Sequence, residues 1–163
     1  MKKILIGCGA ISIVLLLIAG VLAVIFIPRS LRLGNEATAY IEDAVPQIAN
    51  AWDPQALIDR ASPELLAAVK SQDDWDRLFT AYRRLGRLQK LEKPIGNVTS
   101  GAFSQTGSFT IGQYMADATF ENGQAQVRIQ VRRVGDTWKI DAFQINSDLF
   151  LPPKASPTAD ANG

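Results

Sequence analysis

Few side chains in this sequence stand where they could do chemistry, and Tyr114 and Arg133 come first among them. Strand alternation in the last third of the chain puts Tyr114 on the side of a row of apolar residues, with Arg133 at its rim. They offer a phenol able to donate a proton and a guanidinium able to hold an anion. The same alternation puts Asp117 and Asp141 on the opposite side, so no general base stands beside the phenol. Histidine is absent and Cys8 is the only cysteine. Those absences remove the usual zinc ligands, the thiol nucleophiles and the side chain most used for proton transfer near neutral pH. Asp73, Asp74 and Asp76 are close in sequence, but a helix N-terminus favours carboxylates at that spacing. Nothing here nominates a catalytic residue, a metal site or a cofactor.

An apolar ligand is better served. Ala116, Ala118 and Ala125 are small residues on the apolar side and leave room for a pocket bounded by Trp52, Trp75 and Trp138. The candidate lining is Trp52, Trp75, Tyr82, Tyr114, Phe120, Arg133 and Trp138. The simpler reading is that the tryptophans fill that space. The cluster Arg83, Arg84, Arg87, Lys90 and Lys93 suits a solvated helix face running into an edge strand, or a surface for an acidic partner or lipid head groups. Of 17 basic side chains, Lys2 and Lys3 sit at the start, leaving fifteen against 16 acidic ones, and no field recruits nucleic acid.

One stretch decides where these groups live. Ile4 to Ile27 is a run of twenty-four residues without a charge. As a helix it measures roughly 36 Å, more than the ~30 Å hydrocarbon core of a bilayer, and it is expected to span one. Lys2 and Lys3 with the amino terminus face Arg29 and Arg32 across the run, and an N-in signal anchor in a bacterial inner membrane is expected. Cleavage near Val21-Leu22-Ala23 and a lipobox at Leu5-Ile6-Gly7-Cys8 are the other two possibilities; the run is long for the first and Cys8 too early for the second. Ala19 and Ala23 form a small-xxx-small pair that permits dimerisation. The expected divisions are a cytoplasmic 1–3, a span 4–27, a juxtamembrane link 28–34, an extracytoplasmic domain 35–150 and a disordered tail 151–163 rich in proline and small polar residues.

Within that domain the helices come first. Asn35 is a plausible cap, followed by a stripe Ala37, Ile41, Ala44/Val45, Ile48 and Trp52 that Pro46 is expected to kink or break. Asp53-Pro54, Ser62-Pro63-Glu64 and Ser71 with Asp74 mark three further helix starts. Trp75, Leu78, Phe79, Tyr82 and Leu85 share one face of the last helix, as a core stripe, and Gly86 ends it. Arg87–Lys93 is a candidate strand ended by Pro94, and Asn97–Ser108 is expected to be a long turn or hairpin loop. Asn122-Gly123 predicts a type I′ hairpin pairing Phe120 with Ala125, Ala118 with Val127, Ala116 with Ile129 and Tyr114 with Val131. Gly135-Asp136 predicts a second, pairing Trp138 with Arg133, Ile140 with Val131 and Ala142 with Ile129 in unbroken register. Phe143 and Ile145 then fall on the wrong face and require a bulge or a covering element.

Helices followed by an antiparallel sheet, with a Gly-Asp-Thr-Trp-Lys-Ile-Asp hairpin at residues 135–141, resemble the NTF2-like (cystatin-like) α+β fold. The likeness covers about residues 35–148. It rests on Ala51-Trp52, Ala61-Ser62-Pro63-Glu64, Trp75, the run Arg84-Leu85-Gly86-Arg87-Leu88, Tyr114 with Phe120, and Trp138-Lys139-Ile140. Within the superfamily these look like a bacterial envelope domain family of unknown function. The resemblance implies a cone of helices packed on a curved antiparallel sheet, which with the span expected at 4–27 gives an α+β domain behind an N-terminal transmembrane helix. Its motifs are core, caps and turns, so they speak for shape and hardly for activity. Three functions are carried forward. The first is an envelope protein whose non-catalytic domain binds a protein partner, forms a homo-oligomer or scaffolds an assembly, a layout also found in bitopic subunits of type IV secretion systems. The second is a binder of a small apolar ligand or lipid in the cone. The third is a cavity enzyme, like the ketosteroid isomerases and scytalone dehydratases that resemble this fold.

Overall fold

The computed structural model describes residues 31–69, 71–103 and 107–151. The expected span over 4–27, Cys8, and the tail beyond 151 lie outside them. Among the described residues no helix is long and apolar enough to cross a membrane. The chain divides into two compact units, Met1–Glu36 and Ala37–Gly163. The described part of the first is helical, with Arg32 Nε 2.8 Å from Glu36 Oε1 one turn on. The link expected at Leu31–Gly34 is therefore helix, and Asn35 lies inside it instead of capping it. A glycine such as Gly34 costs a helix about 1 kcal/mol. Propagation from a formed turn and the Arg32–Glu36 pair offset that cost.

Helix α1 occupies residues 31–51. Ala37, Ile41, Ala44, Val45, Ile48 and Ala49 are wholly buried along one stripe. Each Ile or Val so buried contributes about 1.5–3 kcal/mol, which offsets the hydrogen bond that Pro46 cannot donate. The break expected at Pro46 is absent. The helix stops at Trp52, whose φ of 46° is the one positive value among the described non-glycine residues. That conformation costs about 1–3 kcal/mol. Burial of the indole and a 2.6 Å bond from its Nε1 to the Gly86 carbonyl hold it there.

Three short helices follow, α2 (Pro54–Ile58), α3 (Pro63–Ala68) and α4 (Gln72–Tyr82), each starting where its sequence predicts. The side chains of Asp53, Ser62 and Ser71 accept from the free N–H groups of Gln55, Leu65 and Asp74. α4 buries Trp75, Phe79 and Tyr82, and a 3-10 turn at Arg83–Leu85 buries Leu85. Gly86 then turns the chain with φ 75°, and a Cβ there would lie 2.7 Å from Glu121 Oε2. Both facts require glycine.

The sheet comprises β1 (Leu88–Leu91), β2 (Ile95–Phe103), β3 (Gly107–Phe120), β4 (Gly123–Val134) and β5 (Thr137–Asn146). It is an antiparallel meander in the order β1-β3-β4-β5, with β2 continuing along the same side of β3 as β1. Most of the turn expected at Asn97–Ser108 is thus strand. An outer strand buries little, so its Gly, Ser and Thr residues need only follow the template that β3 supplies.

The first hairpin keeps its expected faces and loses its expected turn. Phe120 pairs with Gly123, Ala118 with Ala125, Ala116 with Val127 and Tyr114 with Ile129. Each partner lies two residues earlier than the Asn-Gly rule places it, and a slip of two leaves every side chain on the same face. The turn residues are Glu121 and Asn122, held by the segment before β1. Glu121 N donates to Arg87 O, Asn122 N to Leu85 O and Asn122 Nδ2 to Arg84 O. Those tertiary bonds outweigh the type I′ preference, and neither turn residue has positive φ.

In the second hairpin Arg133 pairs with Trp138 and Val131 with Ile140, as expected. The ladder then slips between Gln130 and Val131, so Ala142 meets Gln130 and Phe143 meets Ile129. The unbroken register and the Ala142–Ile129 pair are overturned, and Ala142 is exposed. The extra residue is Asp141. Its bulge turns Phe143 and Ile145 inward, where both are buried, and so satisfies their parity. The free side of β5 is covered by the chain between α2 and α3: Ile140 N donates to Arg60 O, and Ser62 N to Ile140 O, both at 2.7 Å.

Candidate functional site

Of the residues put forward from the sequence, Trp52, Tyr82 and Phe120 come together. The Trp52 ring centre lies 5.7 Å from Phe120, 5.8 Å from Tyr82 and 6.4 Å from Phe79. Tyr82 also meets Phe143 and Phe150 at 6.2 and 6.1 Å. This cluster joins α4 and the end of α1 to β3 and β5. The Tyr82 hydroxyl accepts the Ile145 N–H at 3.2 Å; burial raises its pKa, and that bond acts the other way. Trp75, Tyr114 and Trp138 are buried on α4, β3 and β5, and the Trp138 Nε1 has no hydrogen-bond partner among the described residues. Arg133 folds back on its own hairpin, 3.6 Å from Asp136 and donating to the Gly135 carbonyl.

The densest polar arrangement lies on the other face, around the bulge. The Asp141 side chain is only 6% exposed and accepts four hydrogen bonds. Arg132 supplies two at 3.0 Å through Nε and Nη2, Ser62 Oγ one at 2.8 Å and Gln130 Nε2 one at 2.6 Å. Burial alone would raise the Asp141 pKa, but the bonds from Arg132, Ser62 and Gln130 with the Arg132 charge hold it below the usual carboxylate range. Arg132 is raised in turn, chiefly by its bond to Asp141, while its partial burial works against this. Glu64 stands 3.5 Å from Arg132 on its exposed side. Ser62 therefore caps α3 and clasps β5 with one hydroxyl. Each carboxylate oxygen of Asp141 accepts two of the four bonds, so the cluster clamps the start of α3 to β4 and β5.

An open groove of about 660 Å³ lies elsewhere on the sheet, across the ends of β4 and β5. Glu92, Asp117 and Asp148 contribute carboxylates, Gln124, Gln126 and Asn146 amides, and Phe150 and Leu151 an apolar wall. Glu92 N bonds the Asp117 carbonyl at 2.8 Å, which fixes those two residues side by side. Ser147 Oγ bonds the Gln124 carbonyl at 2.7 Å and so ties the Asp148–Phe150 turn to β4. Glu92 pairs with Lys90, whereas Asp117 and Asp148 have no ion-pair partner among the described residues. No three acidic or other ligating side chains converge as a metal site there or elsewhere among the described residues. Carboxylates beside amides and an apolar wall suit an extended peptide carrying a positive charge.

Neither arrangement was singled out from the sequence. The clasp had one visible signal: the parity of Phe143 and Ile145 requires a slip, and Asp141 is where the slip falls. The groove had none, because the pairing of β1 with β3 sets Glu92 beside Asp117 and the Ser147–Gln124 bond brings in Asp148. Searches of protein-family models, curated proteins and solved structures find no match to this chain.

Proposed function

We propose that this chain is a single-span protein of the bacterial inner membrane, N-terminus inside, whose extracytoplasmic domain is NTF2-like, non-catalytic and devoted to binding a protein partner. The uncharged run 4–27 supports the anchor, and helices packed on one face of an antiparallel meander support the fold type. The observation that carries the binding role is the groove in which Asp117 and Asp148, without an ion-pair partner among the described residues, stand beside Phe150 and Leu151. Such a surface receives an extended, positively charged segment of a partner. The apolar-ligand alternative is less favoured, because Trp52, Tyr82 and Phe120 pack against one another.

The test is photo-cross-linking of the full-length protein in membranes from a probe at Gln126, which lines the groove. A discrete protein adduct is expected. It should fall at least tenfold in an Asp117→Lys, Asp148→Lys double variant and weaken with added salt, as rim charges dictate. An adduct unchanged by the double variant, or lipid as the sole cross-linked species, overturns the proposal.

A further inference from the structure

We infer that β2 pairs along its outer edge with β2 of a second copy of this chain, antiparallel about a twofold axis at Thr99. The inference stands apart from the groove and goes beyond the partner proposed for it. A sheet has two edges, and this protein treats them differently. At β5, Arg60 and Ser62 complete the backbone bonds of Ile140, and the Tyr82 hydroxyl takes the Ile145 N–H. On the opposite side β1 carries a register shift between Leu88 and Lys90, with exposed Lys90 and Lys93, and Pro94 follows. Bulges, lysines and prolines are the devices that keep sheet edges from pairing. They stop at residue 94. From Ile95 to Phe103 there is no charge, no proline and no register shift, and among the described residues nothing pairs with the far side of the strand.

Symmetry and charge name the occupant. An uncharged edge selects no oppositely charged partner and gives an identical strand nothing to repel. Two identical strands laid antiparallel are self-complementary and close as a C2 dimer. Centring the axis on Thr99, the middle of the nine residues, pairs the whole strand. Thr99 then meets its own copy, Val98 meets Ser100, Asn97 meets Gly101 and Gly96 meets Ala102. Thr–Thr is a favoured cross-strand pair, the next three pairs each set a small residue beside its partner, and at the strand ends Ile95 meets Phe103. Ile95, 78% exposed beside Met115 at 47%, gains a neighbouring strand.

The test uses the full-length chain in lipid nanodiscs loaded to admit two copies, with Cys8→Ser and a nitroxide at Thr99→Cys or, separately, at Ile95→Cys. Labels at 99 should broaden each other strongly, while labels at 95 should sit about 27 Å apart, eight residues at about 3.4 Å each. Thr99→Lys places two like charges face to face and should lower the dimer fraction at least tenfold, with the tryptophan fluorescence of the folded domain unchanged. A dimer that survives Thr99→Lys, equal separations at the two positions, or a monomer under all loadings overturns the inference.

Discussion

Replacing Asp141 probes the joint that ties the helical segment to the sheet. In the Ala variant Arg132 keeps its charge and Ser62 its hydroxyl, but both lose the carboxylate that four hydrogen bonds converge on. Removing one member of a buried pair costs about 3–5 kcal/mol. Arg132 is 24% exposed and has Glu64 3.5 Å away, so solvent and that second acid soften the loss to about 2–4 kcal/mol. Asp141→Asn keeps one acceptor oxygen and should lose less, about 1–3 kcal/mol. The two proteins should also differ in pH dependence. The Asp141 carboxyl is held below its unfolded value, so its contribution is complete above about pH 4–5 and disappears as pH falls through the folded pKa. The stability gap between the parent and Asp141→Asn should therefore be constant from neutrality to about pH 5 and close below about pH 4. Urea unfolding of the full chain in mild detergent, followed by the fluorescence of the buried Trp52, Trp75 and Trp138, measures it. A gap that persists unchanged at pH 3, or an Ala variant within about 0.5 kcal/mol of the parent at pH 7, refutes the account of the clasp.

Gly86→Ala should destabilise by about 1–3 kcal/mol, because the new methyl meets Glu121 at a left-handed position; the shift in urea midpoint reads it. Tyr82→Phe keeps the ring contacts with Trp52 and Phe143 but strips the acceptor from the Ile145 N–H. A loss of about 1–2 kcal/mol is expected, with faster hydrogen exchange at that amide in particular.

Much of the fold was legible in the sequence because period-two and period-four patterns survive errors of placement. The faces of β3 and β4 came out right although the turn lies one residue earlier, since each partner moved by two. The helix starts were legible for a local reason: Asp53, Ser62 and Ser71 act on N–H groups two or three residues away. What failed depended on distant contacts. The Glu121-Asn122 turn is set by carbonyls at 84, 85 and 87, and the strand at 95–103 by the length of β3. Pro46 was outvoted by the buried residues around it. The groove residues Glu92, Asp117 and Asp148 come from three separate segments, and no local pattern could have joined them.

The Ser62–Asp141 bond joins residues 79 apart, whereas β3, β4 and β5 are linked by two-residue turns. Loops that long are expensive to close before other contacts have shortened them. The meander is thus the early event on the folding path and the clasp the late one. Weakening the clasp accordingly hastens the native state's departure and leaves the speed of its arrival nearly untouched.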